Sequence, residues 1–231
     1  MKNISFIILM FVFSGVIAQE NVLRNNVTSN YIQLRDELKS REVSESKLSN
    51  IEGSPYWEEN FKNGKIESDG HTVQPVYLRY NARKEQIEIK PDLSDDEVFI
   101  LPQNNRVIYN LNDYSYKYGL IETKEDKYIR GYLMRIFNSE NIKFLSKVRA
   151  EIQPGKVAET SYDRSKPPHL NLIQDFYISV NGDSYEEVRL KEKDFRKIFR
   201  SENMKKYFKD HKIKDEKDVV AMLKYYEKNN S

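Results

Sequence analysis

Three histidines, one acidic run and a cluster of tyrosines are the side chains of this 231-residue sequence whose types could do chemistry. His71 follows the Asp69-Gly70 turn signal, His169 follows Pro167-Pro168, and His211 lies in a lysine-rich stretch. A structural or catalytic metal needs several N, O or S ligands brought together. None of the three has a second histidine or a carboxylate at ligand spacing on its own element, so each is expected at a turn or on the surface. Asp92 to Glu97 (DLSDDE) offers hard oxygen ligands of the kind Ca²⁺ takes, but without the glycine and spacing of an EF-hand loop. A solvated acidic loop is the expectation, and no metal or cofactor is assigned. The sequence has no cysteine and no GxSxG elbow, which removes thiolate metal sites, disulfides and the hydrolase nucleophile motif. Paired carboxylates for glycoside cleavage are defined by their separation in space and leave no signature to read.

Tyrosine is the unusual residue, with 16 against 11 phenylalanines. Tyr109, Tyr114, Tyr116 and Tyr118 lie within ten residues, and alternation puts Tyr114, Tyr116 and Tyr118 on one strand face. A strip of three flat rings with polar tips could stack on a glycan or a partner peptide. Tyrosine also simply suits β-strands, which is the commoner cause of such clusters.

The elements that would position these residues change period twice. Residues 19–30 are polar and rich in asparagine, and Tyr31 to Lys39 reads as a short helix with Leu34 and Leu38 on one face. From Tyr56 the period is two. The expected strands are Gly64–Ser68 and His71–Tyr80 around Asp69-Gly70, then Gln86–Lys90, Glu97–Leu101 and Arg106–Leu111. Pro75 lacks a ladder donor and belongs at an edge or a bulge. The clearest hairpin joins Lys127–Phe137 to Ile142–Ile152. In its second strand Ile142, Phe144, Val148, Ala150 and Ile152 face one way, while Lys143, Lys147, Arg149 and Glu151 face the other. That alternation predicts one covered and one wet face. A loop over Ser161–Pro168 and a last hairpin, Asp175–Val180 with Tyr185–Leu190, complete the sheet. After Leu190 the period becomes helical. Phe195, Ile198 and Phe199 mark one helix. Ser201 caps a second with Met204, Tyr207 and Phe208, and Asp215 caps a third with Val219, Val220, Leu223 and Tyr226. The fold class is therefore α+β: an antiparallel meander, curled or half-barrel, followed by a C-terminal three-helix unit. The segments are 1–18, 19–55, 56–190 and 191–231.

Residues 1–18 have the form of a signal peptide. Lys2 precedes the apolar run Phe6–Phe13, Ser14-Gly15 break it, and Val16-Ile17-Ala18 suits cleavage between Ala18 and Gln19. The apolar stretch Ile4–Ala18 is shorter than the roughly 20 residues a spanning helix needs. An exported chain without cysteine cannot carry the lipid anchor of a bacterial lipoprotein, and the combination fits a Gram-negative envelope. Asn26-Val27-Thr28 then matches a glycosylation sequon by coincidence. The net charge of +2 hides a split, because residues 191–231 hold 13 Lys/Arg against 8 Asp/Glu. Such a basic tail could make weak contact with anionic lipid or polysaccharide, although Lys and Glu are also ordinary helix formers. Nucleic acid is not an expected partner of an exported, nearly neutral chain.

The chain resembles a family of secreted envelope proteins from Bacteroidota, of flavobacterial type, whose function is uncharacterised. The matching residues are Gly53-Ser54-Pro55-Tyr56 with Phe61 and Gly64, the Asp69-Gly70 turn, and Leu78-Arg79-Tyr80-Asn81 with Ile87-Glu88. Lys191–Phe199 and Glu216–Tyr226 follow. They cover roughly residues 53–228 and are turn and core positions. The resemblance implies a periplasmic or outer-membrane-associated destination and transfers no catalytic residue. The expected function is a non-catalytic module binding an envelope protein or glycan through its sheet, with no cofactor. The alternative is a glycan or cell-wall hydrolase acting through carboxylates. A carrier of an apolar ligand inside the curl is a lesser third.

Overall fold

A computed structural model describes residues 51–230, apart from Gly70, Val157 and 159–163. The expected signal peptide, the cut at Ala18/Gln19, the helix at Tyr31–Lys39 and part of the Ser161–Pro168 loop lie outside the described residues.

Ten strands form one sheet: β1 Lys62–Ser68, β2 His71–Asn81, β3 Gln86–Lys90, β4 Phe99–Ile100, β5 Val107–Asn110, β6 Ser115–Glu122, β7 Tyr128–Asn138, β8 Ile142–Gln153, β9 His169–Val180 and β10 Glu186–Val188. The spatial order is β10-β9-β8-β7-β6-β5-β1-β2-β3-β4, and all neighbours are antiparallel. Two meanders thus run outward from a shared centre. β1 to β4 go one way; the chain returns to pair β5 with β1, and β5 to β10 go the other. The end strands β4 and β10 do not meet, so the sheet is not a closed barrel. It is nevertheless strongly curled, because the Tyr80 hydroxyl on β2 donates to the Val148 carbonyl on β8 at 3.3 Å, across five places in the strand order.

Period two located most strands to within two residues. The larger differences are β6, expected only as the strand face of Tyr114, Tyr116 and Tyr118 and found over eight residues, and β9, which begins at His169 and not at Asp175, since its whole length pairs with β8 from Ile142↔Val180 to Gln153↔His169. Pro75 sits opposite Lys65, beside a register shift between Lys65 and Glu67, as a strand proline requires.

The concave, inner face carries Tyr80, Tyr109, Tyr116, Tyr132, Met134 and Val148 in one buried cluster with the aliphatic residues of β1 to β3. Three helices, α1 Glu192–Ile198, α2 Glu202–Asp210 and α3 Glu216–Asn230, cover the β8–β9 end. Phe195, Phe199, Met204, Phe208, Val219, Met222 and Leu223 pack there on Ile142, Phe144, Phe176 and Ile178. The sheet and the helices thereby share a core and belong to one compact unit, Asn50–Ser231. Ser201 caps α2 by accepting from the Met204 N–H. Asp215 Oδ1 accepts from the Asp218 N–H at 3.0 Å, and Asp218 Oδ2 accepts from the Lys214 N–H at 2.9 Å, so α3 starts in a reciprocal cap.

One expectation for β8 is corrected. The face read as wet is dry in its middle, where Leu145 and Lys147 are buried. The outer face there holds a small cluster of Ile121, Leu133, Leu145 and Tyr177, with Ile129 and Tyr185 against it. Tyr185 gets there by pairing with the end of β6, its N–H donating to the Glu122 carbonyl and its carbonyl accepting from Lys124 N–H. Conversely Ile152, expected inside, is 46% exposed.

Candidate functional site

The chemistry of β7 and β8 differs along their length. From the turn they pair through Asn138↔Lys143 and Phe137↔Phe144, pass a bulge, and reach Met134↔Ser146. There the pairing ends, although β7 continues to Tyr128 against β6 and β8 continues to Gln153 against β9. The sheet forks. Ladder hydrogen bonds recur at every second residue. The main-chain groups of Tyr132, Arg130 and Tyr128 on one lip, and of Val148, Ala150 and Ile152 on the other, are therefore those that would have joined the strands.

Local chemistry holds the fork apart. Gly131 has φ +132°, a conformation that costs an L side chain heavily, and a Cβ there would run into the Lys147 ammonium and the Glu85 carboxylate. Glu85, on the β2–β3 turn, wedges into the crotch and pairs with Lys147. Burial pushes the Lys147 ammonium down to about 8. The Tyr80 hydroxyl supplies the donor that the Val148 carbonyl lost with its strand partner. Further out, each arm has its own clamp. The β6–β7 arm is tied to Tyr185. The β8–β9 arm is tied to Glu52, whose N–H donates to the Pro168 carbonyl at 2.9 Å and whose carbonyl accepts from Leu170 N–H at 2.7 Å.

The three tyrosines of the expected strip do share the inner face, but they are not a free platform. Tyr116 is 3% exposed, with its ring 4.9 Å from that of Tyr80, and cannot stack on a ligand. The curl puts the centre of the strip in the core. Tyr114 is half-buried and donates to the Glu58 carboxylate at 2.8 Å. Burial and that carboxylate push its phenol well above the usual range. Tyr118 is half-buried against Tyr132 at the inner wall of the fork. Beyond it on the same face, alternation places Leu120, Tyr128 and Ile152, which are 52%, 64% and 46% exposed.

The other candidates are accounted for locally. His169 pairs with Gln153 at the start of β9 and is exposed, and His211 stacks on Tyr207 at 4.2 Å. His71 begins β2 opposite Ser68. Asp92 accepts from the Ser94 N–H and hydroxyl, which hold its carboxyl below the ordinary range, so the acidic run closes on itself as a turn. Among the described residues no group of three or more potential ligands converges. The inner face is packed with buried side chains, and the void among them lined by Trp57, Tyr80 and Tyr116 measures about 10 Å³, room for one water at most. That void offers no room for the apolar ligand of a carrier. A groove of about 630 Å³ lies between the β6–β7 turn, β10 and α1. Three of its four carboxylates, Glu186, Glu125 and Asp194, are paired with Lys124, Lys127 and Arg189, and the fourth is Glu187. Hydrogen bonds from Lys127 and Arg189 hold Glu125 and Asp194 below the ordinary range, the wrong direction for a general acid.

The helical unit is more basic at its surface than its composition suggests. All 13 Lys/Arg of residues 191–230 are exposed, but only Glu202, Asp210 and Asp215 of the eight acids are. No family model, curated protein or solved structure matches the chain. Among described residues no helix is long and apolar enough to cross a membrane.

Sequence reasoning missed the fork. Its faint signals were a glycine in the middle of β7 and a lysine in the middle of β8, each of which reads equally well as an ordinary strand residue.

Proposed function

We propose that this chain is an exported, non-catalytic binding module of a bacterial envelope, of the kind its Bacteroidota-like motifs suggest. In this reading it holds a macromolecular partner on the inner face at the β7–β8 fork. One observation carries the reading: three of the five large hydrophobics exposed among the described residues, Leu120, Tyr128 and Ile152, flank that fork on a single face. Scattered exposed apolar residues need no explanation, but grouped ones mark interaction sites. The half-buried ring of Tyr118 continues the patch inward to the fully buried Tyr132. The basic surface of α1 to α3 supports a secondary, salt-sensitive attraction to anionic envelope material.

The test uses the full chain expressed in a Gram-negative host. N-terminal sequencing of the exported protein should begin at Gln19. The mature chain should co-sediment with isolated envelopes. A Leu120→Ser/Tyr128→Ser/Ile152→Ser variant should remain in the supernatant with an unchanged melting temperature. Equal sedimentation of the two proteins would sink the proposal.

A further inference from the structure

Most strand edges in this fold are short or covered. β4 has two residues and β10 three. The free edge of β9 between the Glu52 clamp and β10 is confined to Leu172 and Gln174, and the Gln174 side chain is engaged by Ser146 and Glu216. Natural sheets protect their edges in this way because unpaired N–H and C=O groups recruit other strands. The two lips of the fork depart from that pattern. Each presents a run of main-chain groups at strand spacing, three alternate residues on β7 and three on β8, of which, among the described residues, the Val148 carbonyl has a substitute partner in the Tyr80 hydroxyl.

Nor is the parting a frayed end. A glycine-only backbone angle at Gly131, a Lys147–Glu85 pair in the crotch with the lysine buried, and separate clamps at Tyr185 and Glu52 hold the arms apart. A buried ammonium is not a cheap way to fill space. An uninterrupted β7–β8 ladder would have satisfied the same backbone without it.

We propose that the fork accepts an extended peptide segment as an added strand, one with apolar side chains at alternate positions. The chemistry of the lips specifies both properties. Rows of alternating donors and acceptors are matched by another β-strand, with affinity from the main chain and selectivity from alternate side chains. The inner side of the slot is largely apolar, with Leu120, Tyr128, Ile152 and half-buried Tyr118, Ala150 and Leu172, and the exposed Glu122 and Arg130 lie among them. The outer side carries Arg149, Glu151 and Gln153, all exposed. A strand with one apolar and one polar edge fits between them. The inference rests on the reading of this face as the binding face and names the class of partner.

The probe is a random library of short peptides selected against the mature chain. Selected peptides should alternate in hydrophobicity. They should slow amide hydrogen exchange at Arg130, Ala150 or Ile152 and lose affinity on backbone N-methylation at alternate residues. Each pair of lost main-chain hydrogen bonds should cost about tenfold. Ala150→Pro and Arg130→Pro each remove an N–H that faces the gap, so they should fold with little loss and at least one should abolish binding. N-methylation tests the same bonds from the peptide side, should a proline variant fail to fold. Three results overturn the proposal. One is a library yielding no binder that survives subtraction on the proline variants. A second is peptides indifferent to N-methylation, and a third is protection of the same amides by rising concentration of the chain alone, which would make a second copy the occupant. If envelope sedimentation still needs Leu120, Tyr128 and Ile152 while peptides fail, strand addition falls and the binding face stands.

Discussion

β7 and β8 are one hairpin with two contrasting ends. Near the turn, the face they share lies under the helices and is built from phenylalanine: Phe144 stacks on Phe176 at 5.7 Å and meets Phe195 edge-on. At the other end the strands part, the residues are tyrosine, lysine and glycine, and large apolar side chains face solvent. Both ends show the same alternation in sequence. The difference lies in what packs on each. A helical unit supplies apolar area to one end, whereas the crotch at the other receives the Glu85 turn, which brings a charge. A strand pair stays zipped where burial stabilises it and opens where a polar wedge is better satisfied between the strands than beside them.

The most severe way to break this contrast is at the covered end. Phe144→Ala removes a fully buried ring at the junction of sheet and helices, and should cost about 3–5 kcal/mol in equilibrium unfolding. It should also expose α1 to α3 to proteolysis. A loss well below that would mean the helices are held by α1–α2–α3 contacts alone.

At the open end the largest effect should come from the wedge. Glu85→Gln leaves the Lys147 ammonium buried without its counter-ion and should cost about 2–3 kcal/mol, at or below the low end for broken buried pairs because Glu85 is partly exposed. Lys147→Met in the same background should recover much of it. The pair also predicts a pH dependence. The Lys147 ammonium titrates at about 8 in the folded chain against 10.5 as its ordinary value. Between those values the unfolded chain binds the extra proton, so stability rises with pH across that window. Denaturant midpoints measured through it should climb in the wild type and lose that contribution in Lys147→Met.

Much of the frame was legible before any coordinates. Ile142–Ile152 was expected and Ile142–Gln153 is found, and the caps at Ser201 and Asp215 are where turn chemistry put them. These features are local, and a period or a capping residue encodes them directly. The burial of Tyr116 and the exposure of Ile152 were not legible, because which part of a face is covered depends on the curl. The curl is set by contacts such as Tyr80 to Val148, 68 residues apart. The fork was hidden for the same reason. Its cause on β7 and β8 is two residues, Gly131 and Lys147, while the rest sits at Glu52, Tyr80, Glu85 and Tyr185.

Gly131→Ala tests whether the backbone bend or the wedge opens the fork. Alanine at φ +132° is strained, and its methyl group meets Lys147 and Glu85. The expected cost is about 2 kcal/mol. If the bend is the cause, hydrogen exchange at Ala150 and Ile152 should slow as the variant zips the lips together. Unchanged exchange would assign the fork to Glu85.

The smallest effect sharpens the contrast between the tyrosine and phenylalanine cores. The Tyr116 hydroxyl is buried and makes no hydrogen bond among the described residues, and burial raises its pKa far above the ordinary phenol range. A buried hydroxyl without a partner costs desolvation and returns nothing. Tyr116→Phe should therefore change stability by less than about 1 kcal/mol, with either sign of interest. A gain would mean the hydroxyl is dry in the native protein. A loss beyond that range would mean it has a partner, and the small void it shares with Tyr80 and Trp57 is where a bound water would sit.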